Sequence, residues 1–176
     1  MNNSSSTESL SFPQAIAATQ SLMARIQADK LSETEIEQEV LSILSNKNGG
    51  RGFFVSYLTS DISLADRPSE GIINGLKSSI KISGELLVKN LAMSSAMIIT
   101  HSRDRDIENI KGSQRVYQRT NNLIRSIDSS SVYEELQKLL ATIDNKNGEY
   151  QKFLQCWSYD TEQKQAIANA ITTALK

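Results

Sequence analysis

One cysteine, one histidine and two prolines in 176 residues leave whole classes of chemistry without their reagents. A lone Cys156 excludes an intrachain disulfide, so a reducing compartment, the cytoplasm, is the expected location. A lone His101 without further cysteines is a poor match to metal-ligand spacings, and no cofactor fingerprint accompanies it, so neither a metal nor a cofactor is expected. With only 2 Pro and 8 Gly the chain has few helix breakers, which suits long helices joined by short turns. A formal net charge of −1 gives no global attraction to nucleic acid or to an anionic membrane, and nucleic acid is not an expected partner. The most apolar stretch, Leu86 to Ile99, is interrupted by Lys89 and Asn90 and is shorter than the roughly 20 residues that cross a bilayer, so no membrane span is expected. The opening MNNSSSTESLS has neither a basic segment nor an apolar core and reads as a disordered polar tail over residues 1–10.

What is present is helical periodicity. Residues 11–176 are long enough to bury one core and are expected to form a single all-α domain, a compact bundle of about seven helices. Ser11 before Phe12-Pro13 is an N-cap with proline in the first turn, and the stripe from Ile16 to Ile26 carries that helix to about Ala28. Ser32 and Glu35 make a capping box for a second helix, expected to stop at Asn48-Gly49. The stretch FFVSYLT is ambiguous by composition, but in the similar stretch downstream Tyr150, Phe153, Leu154 and Trp157 recur at helical spacing, the aligned Phe54, Val55 and Leu58 keep it, and both stretches are expected to be short helices. Ser69 caps a helix bearing Ile72, Ile73 and Leu76. A central apolar helix spans 79–100, with a charged stripe of Lys81, Glu85 and Lys89 in its first half. Its second half has no charge, and the face around Leu91, Ala92, Ser95 and Ile99 must be buried, by the domain itself or by a second copy. Another helix runs from Ile107 to Ile127, a second capping box at Ser131 and Glu134 opens the next, and Asp160 caps the last.

A shift of 99 residues superimposes Ser32 on Ser131, Asn46–Gly49 on Asn145–Gly148 and Asp61 on Asp160. The 13 identities over 46 ungapped positions bring both boxes and both Asn-Lys-Asn-Gly segments into register. Two readings account for this: an internal duplication with a pseudo-two-fold, units 12–77 and 111–176 flanking the central helix, or shared helix-capping grammar.

Four groups of residues are candidates for chemistry. His101 with Asp104 and Asp106 has the elements of a general base, although a helix-end histidine near acidic neighbours has the same sequence. Cys156, between Phe153 and Trp157, is expected to be a buried, inert small hydrophobe. Lys111, Arg115 and Arg119 share one helical face; such a basic patch contacts phosphates in some proteins, but a solvated face, or pairing with Glu33, Glu35, Glu37 and Glu39, is the expected role. The fourth group is Asn48, Gly50, Arg51 and Gly52, read as a glycine-rich turn feeding a helix. Such a turn offers free N–H groups and an arginine fork to an anionic ligand, to a partner's acidic side chain, or to Asp61 or Glu70 of the chain itself.

No catalytic residue stands out. The composition and helical patterning point to a cytoplasmic protein-interaction or regulatory module with a protein partner or a homodimer. The alternative is a small anionic-ligand-binding protein, or an enzyme whose site is dispersed in sequence.

Overall fold

The caps legible in the sequence set several of the helix boundaries in the computed structural model, which describes residues 9–176. The first helix, α1 (Phe12–Gln27), opens where the Ser11 N–H donates to Gln14 Oε1 at 2.9 Å. Ser32 and Glu35 close a reciprocal box at the start of α2 (Glu33–Ile43). Next come α3 (Lys47–Thr59), a single 3-10 turn at Ser63–Asp66, and α4 (Glu70–Ser78) capped by Ser69. The long α5 (Ile80–Arg103) and α6 (Ile107–Ile127) are followed by α7 (Ser130–Asn145), the short α8 (Gln151–Cys156) and α9 (Thr161–Ala174). The all-α class holds, with nine α-helices among the described residues against a total expected at about seven. Most of the expected tail lies outside the described residues; Leu10 is already packed against the core and accepts a hydrogen bond from Asn46.

Apolar burial organises the layers around α5, which lies along α6, α9 and α7 and touches α3 and α4. Leu91 and Ala92 are fully buried and Ser95 nearly so, while Ile99 is only half-buried. The bundle therefore covers most of this face itself, and burying it requires no second copy. Among the described residues α5 alone is long and apolar enough to cross a membrane, and half of its apolar window is packed inside the protein, as in the core helix of a water-exposed bundle.

Three local expectations fail. The segment Asn46–Gly52 is no turn: Asn46 caps α3, its Oδ1 accepting the Gly49 N–H at 2.9 Å and its carbonyl the Gly50 N–H at 3.0 Å. The glycines lie inside the helix because α3 approaches its neighbours closely; a Cβ on Gly52 would stand 2.5 Å from Ala15 Cβ, and one on Gly50 2.7 Å from Leu86 Cδ1. In the second segment Asn145 ends α7, Lys146 takes a left-handed C-cap at φ 56°, and Gly148 sits at φ 155°. Identical letters thus begin a helix in one place and end one in the other, so the two stretches differ in secondary structure and do not form one repeated unit at this motif. Likewise Ser131 and Glu134 form no capping box, since α7 opens at Ser130 with Ser129 in the cap position.

Candidate functional site

Two clefts open beside α8. Its approach from α7 is a tight turn that only glycine can make at position 148, where a Cβ would lie 2.4 Å from Thr142 Oγ1. The same Thr142 Oγ1 accepts the Tyr150 N–H at 3.4 Å, and the Tyr150 hydroxyl donates to Glu135 Oε2 at 2.6 Å. Burial first, then the neighbouring Glu135 carboxylate, pushes the Tyr150 phenol well above its ordinary range, so the ring serves as a neutral donor. Burial alone would raise the Glu135 carboxyl, but hydrogen bonds from Lys138 and Tyr150, with Lys89 nearby, outweigh it and hold it ionised below the usual range.

Clefts flank α8 on both sides. One, of about 570 Å³, lies between α5, α7 and α8 and is charged: Lys81, Lys89 and Lys152 face Glu85, Glu134 and Glu135. Lys89 is bound to Glu85 and stands 5.7 Å from the Phe153 ring centroid. The other, of about 830 Å³, lies between the end of α7, α8 and the start of α9. Its lining is mixed: Ile143, Leu154, Tyr159 and Ala168 are apolar, against polar groups that include Gln151, Gln155, Lys146, Lys164 and Asp144.

Beyond α8 the chain turns at Ser158, at φ 51°, and presents Trp157 half-exposed, its ring stacked on Tyr159 at 6.4 Å and 12°. Tyr159 is itself buried and meets Phe153 edge-on. Two residues further, Asp160 caps α9 through the Gln163 N–H and binds Arg103 at the end of α5, which also holds Glu162. The hydrogen bond from Arg103, then that from Gln163 N–H, holds the Asp160 carboxyl down at about 2. This tie places the α8–α9 junction beside the α5–α6 corner, four residues before Ile107, the most exposed large hydrophobe described at 62%. A half-exposed tryptophan, an arginine in an ion-pair network and a cleft of mixed polar and apolar lining are features that recur at docking surfaces.

The residues singled out by sequence lie elsewhere or play other parts. Arg119 is buried, not solvated: its Nε binds Asp66 at 2.7 Å, and its other nitrogens donate to the carbonyls of Leu58, Ser60 and Ile62. It fastens the end of α3 and the segment that leaves it, where the Ile62 carbonyl also accepts the Ala65 N–H. Arg115 binds Asp61 at 2.7 Å, and Lys111 is exposed. The acidic α2 is engaged otherwise, with Glu39 bound to Arg25 and Glu33 accepting the Gly71 N–H. Asn48 and Arg51 face solvent while Gly50 and Gly52 face the core, so these four do not converge on one ligand. Arg51 pairs with neither Asp61 nor Glu70 among the described residues; its guanidinium lies 5.4 Å from the Phe12 ring centroid. Asp106 caps α6, accepting the Asn109 N–H at 3.1 Å, rather than orienting His101. Cys156 is exposed, because α8 turns only Leu154 fully inward.

Sequence reasoning missed Trp157 as a surface residue. The one available signal was the fragment CWSYD, in which Trp157 follows the last residue of a short apolar stretch and has no further helical turn to bury it.

The chain belongs to the family described as uncharacterised conserved protein UCP020893, whose family model matches residues 11–174. No curated protein and no solved structure matches it.

Proposed function

We propose that this member of the UCP020893 family is a cytoplasmic protein-interaction module that docks its partner on the surface around α8, with Trp157 as the anchor. One observation carries the reading: the chain's only tryptophan stands half-exposed, stacked on Tyr159, a buried tyrosine that lines a cleft of about 830 Å³. Tryptophan is rarely left in water without use, since burying its ring at an interface contributes more than burying almost any other side chain. Tyr159 holds the ring in place, which lowers the entropy cost of binding.

Capture from the native cell extract tests it, with immobilised wild-type protein compared with Trp157→Ala and with Val55→Ala, an exposed apolar residue on α3. The reading expects a protein retained by wild type and Val55→Ala and lost from Trp157→Ala. Retention by all three alike contradicts it.

The charged cleft of about 570 Å³ favours a second reading, a small-ligand-binding protein. Lys81 and Lys152 line it without a carboxylate partner among the described residues, the arrangement an anionic ligand would use. That reading expects Lys152→Ala, and not Trp157→Ala, to abolish binding of an anionic small molecule.

A further inference from the structure

The two clefts share α8 as a wall, and α8 is the least secured helix of the bundle. It has six residues, no side-chain cap, and Leu154 as its only fully buried side chain. By contrast α7 buries Val132, Leu136, Leu139 and Thr142, and α9 buries Ile167, Ala170, Ile171 and Ala174. A helix this short is unstable by itself, so it stays formed through its anchors. Those are Leu154, Tyr159 and above all Tyr150, tied to Glu135 through its hydroxyl and to Thr142 through its N–H. At both ends the backbone is left-handed: Lys146 at φ 56° and Gly148 at φ 155° before it, Ser158 at φ 51° after it. Such positions mark sharp changes of chain direction, which let the segment between them move without bending α7 or α9.

We propose that residues 146–158 form a strap that undocks from the bundle as a unit while the other helices stay folded. Opening joins the two clefts into one groove running along α7 and carries Trp157 with it. Segments with few buried contacts and water on both sides open at a free energy well below that of global unfolding. The Tyr150–Glu135 hydrogen bond is the catch: opening lifts Leu154 and the Tyr150 ring out of the core, whereas deleting the hydroxyl alone removes no apolar surface. This motion belongs to the isolated protein, so it stands or falls separately from the docking role of Trp157.

Native-state hydrogen exchange of the full chain tests it, read by NMR with and without low urea. In the wild type the amides of Leu154 to Cys156 are expected to exchange faster than those of Leu136 to Leu139 and of Ile167 to Ile171, with a weaker dependence on low urea than theirs, since opening exposes less surface than unfolding. Tyr150→Phe, which keeps the ring and deletes the hydroxyl, is expected to speed exchange across the strap by about tenfold or more and to leave the α7 and α9 amides unchanged. Equal rates in α7, α8 and α9 of the wild type, or a rise shared by all three in Tyr150→Phe, would mean that α8 opens only when the protein unfolds, and would overturn the proposal.

Discussion

Arg119 and Asp66 form an ion pair of unequal partners: the guanidinium is 3% exposed and the carboxylate 53%. The cation is therefore solvated by the protein, through Asp66 and the carbonyls of Leu58, Ser60 and Ile62, while the anion is half in water. Removing the guanidinium orphans the carbonyls of Leu58 and Ser60, while that of Ile62 keeps the Ala65 N–H, and a lysine offers no planar fork to reach them. Both Arg119→Met and Arg119→Lys are expected to lower unfolding stability in urea by about 3 kcal/mol. Wild-type stability in Arg119→Lys would show that charge alone, without the fork, suffices.

Gly52→Ala and Gly112→Ala should move stability in opposite directions. Helix propensity favours alanine in both by about 1 kcal/mol. At Gly112 nothing lies within 4 Å of the added carbon, so the gain stands. At Gly52 the carbon would meet Ala15 Cβ at 2.5 Å and the Phe12 carbonyl at 2.9 Å, groups that cannot rotate aside. Overpacking there is expected to cost about 1–3 kcal/mol and to leave the variant less stable despite its better helix former. Thermal melts of the two variants decide it.

The contrast also shows how far the sequence could be read. Ser32 with Glu35, Ser69 and Asp160 act within one turn of chain, so their letters suffice to place a helix start. The role of Gly50 and Gly52 depends on Ala15 and Leu86, residues distant in sequence, and no local pattern distinguishes a glycine that turns the chain from one that lets two helices touch. The same limit separates Asn46, a cap, from Asn145, the last residue of its helix. The basic face was legible as a stripe, but its burial at Arg119 follows from the 3-10 turn packed against α6. The α8 surface was hardly legible at all, since exposure of Cys156 and Trp157 results from the brevity of α8, which leaves them no core to enter.

Acid should loosen the joint between α5 and α9. Asp160 titrates at about 2 in the folded protein because Arg103, then the Gln163 N–H, stabilises its charged form. A free aspartate titrates near ~3.9. The folded value is depressed, so this stabilisation is fully present above the unfolded value and is lost as the pH falls toward the folded one. Wild-type stability is expected to decline between about pH 4 and pH 2 more steeply than that of Asp160→Asn. NMR titration of the Asp160 carboxyl, with urea midpoints across that range, checks both; an Asp160 that titrates like a free aspartate contradicts the ion pair.

The docking role of the α8 surface rests on one side chain that reports on itself. Trp157 is the only tryptophan, so the emission of the whole protein is the emission of this ring. Its half-exposed position predicts emission near that of tryptophan in water and ready quenching by iodide. The most direct measurement is the emission spectrum and iodide quenching of the wild-type protein as the partner captured from the extract is added, the partner's own tryptophan signal being subtracted with Trp157→Phe. A saturable blue shift with loss of quenching is the expected result. A partner that binds at the same concentration while the spectrum and quenching of Trp157 stay unchanged would contradict the assignment of this surface.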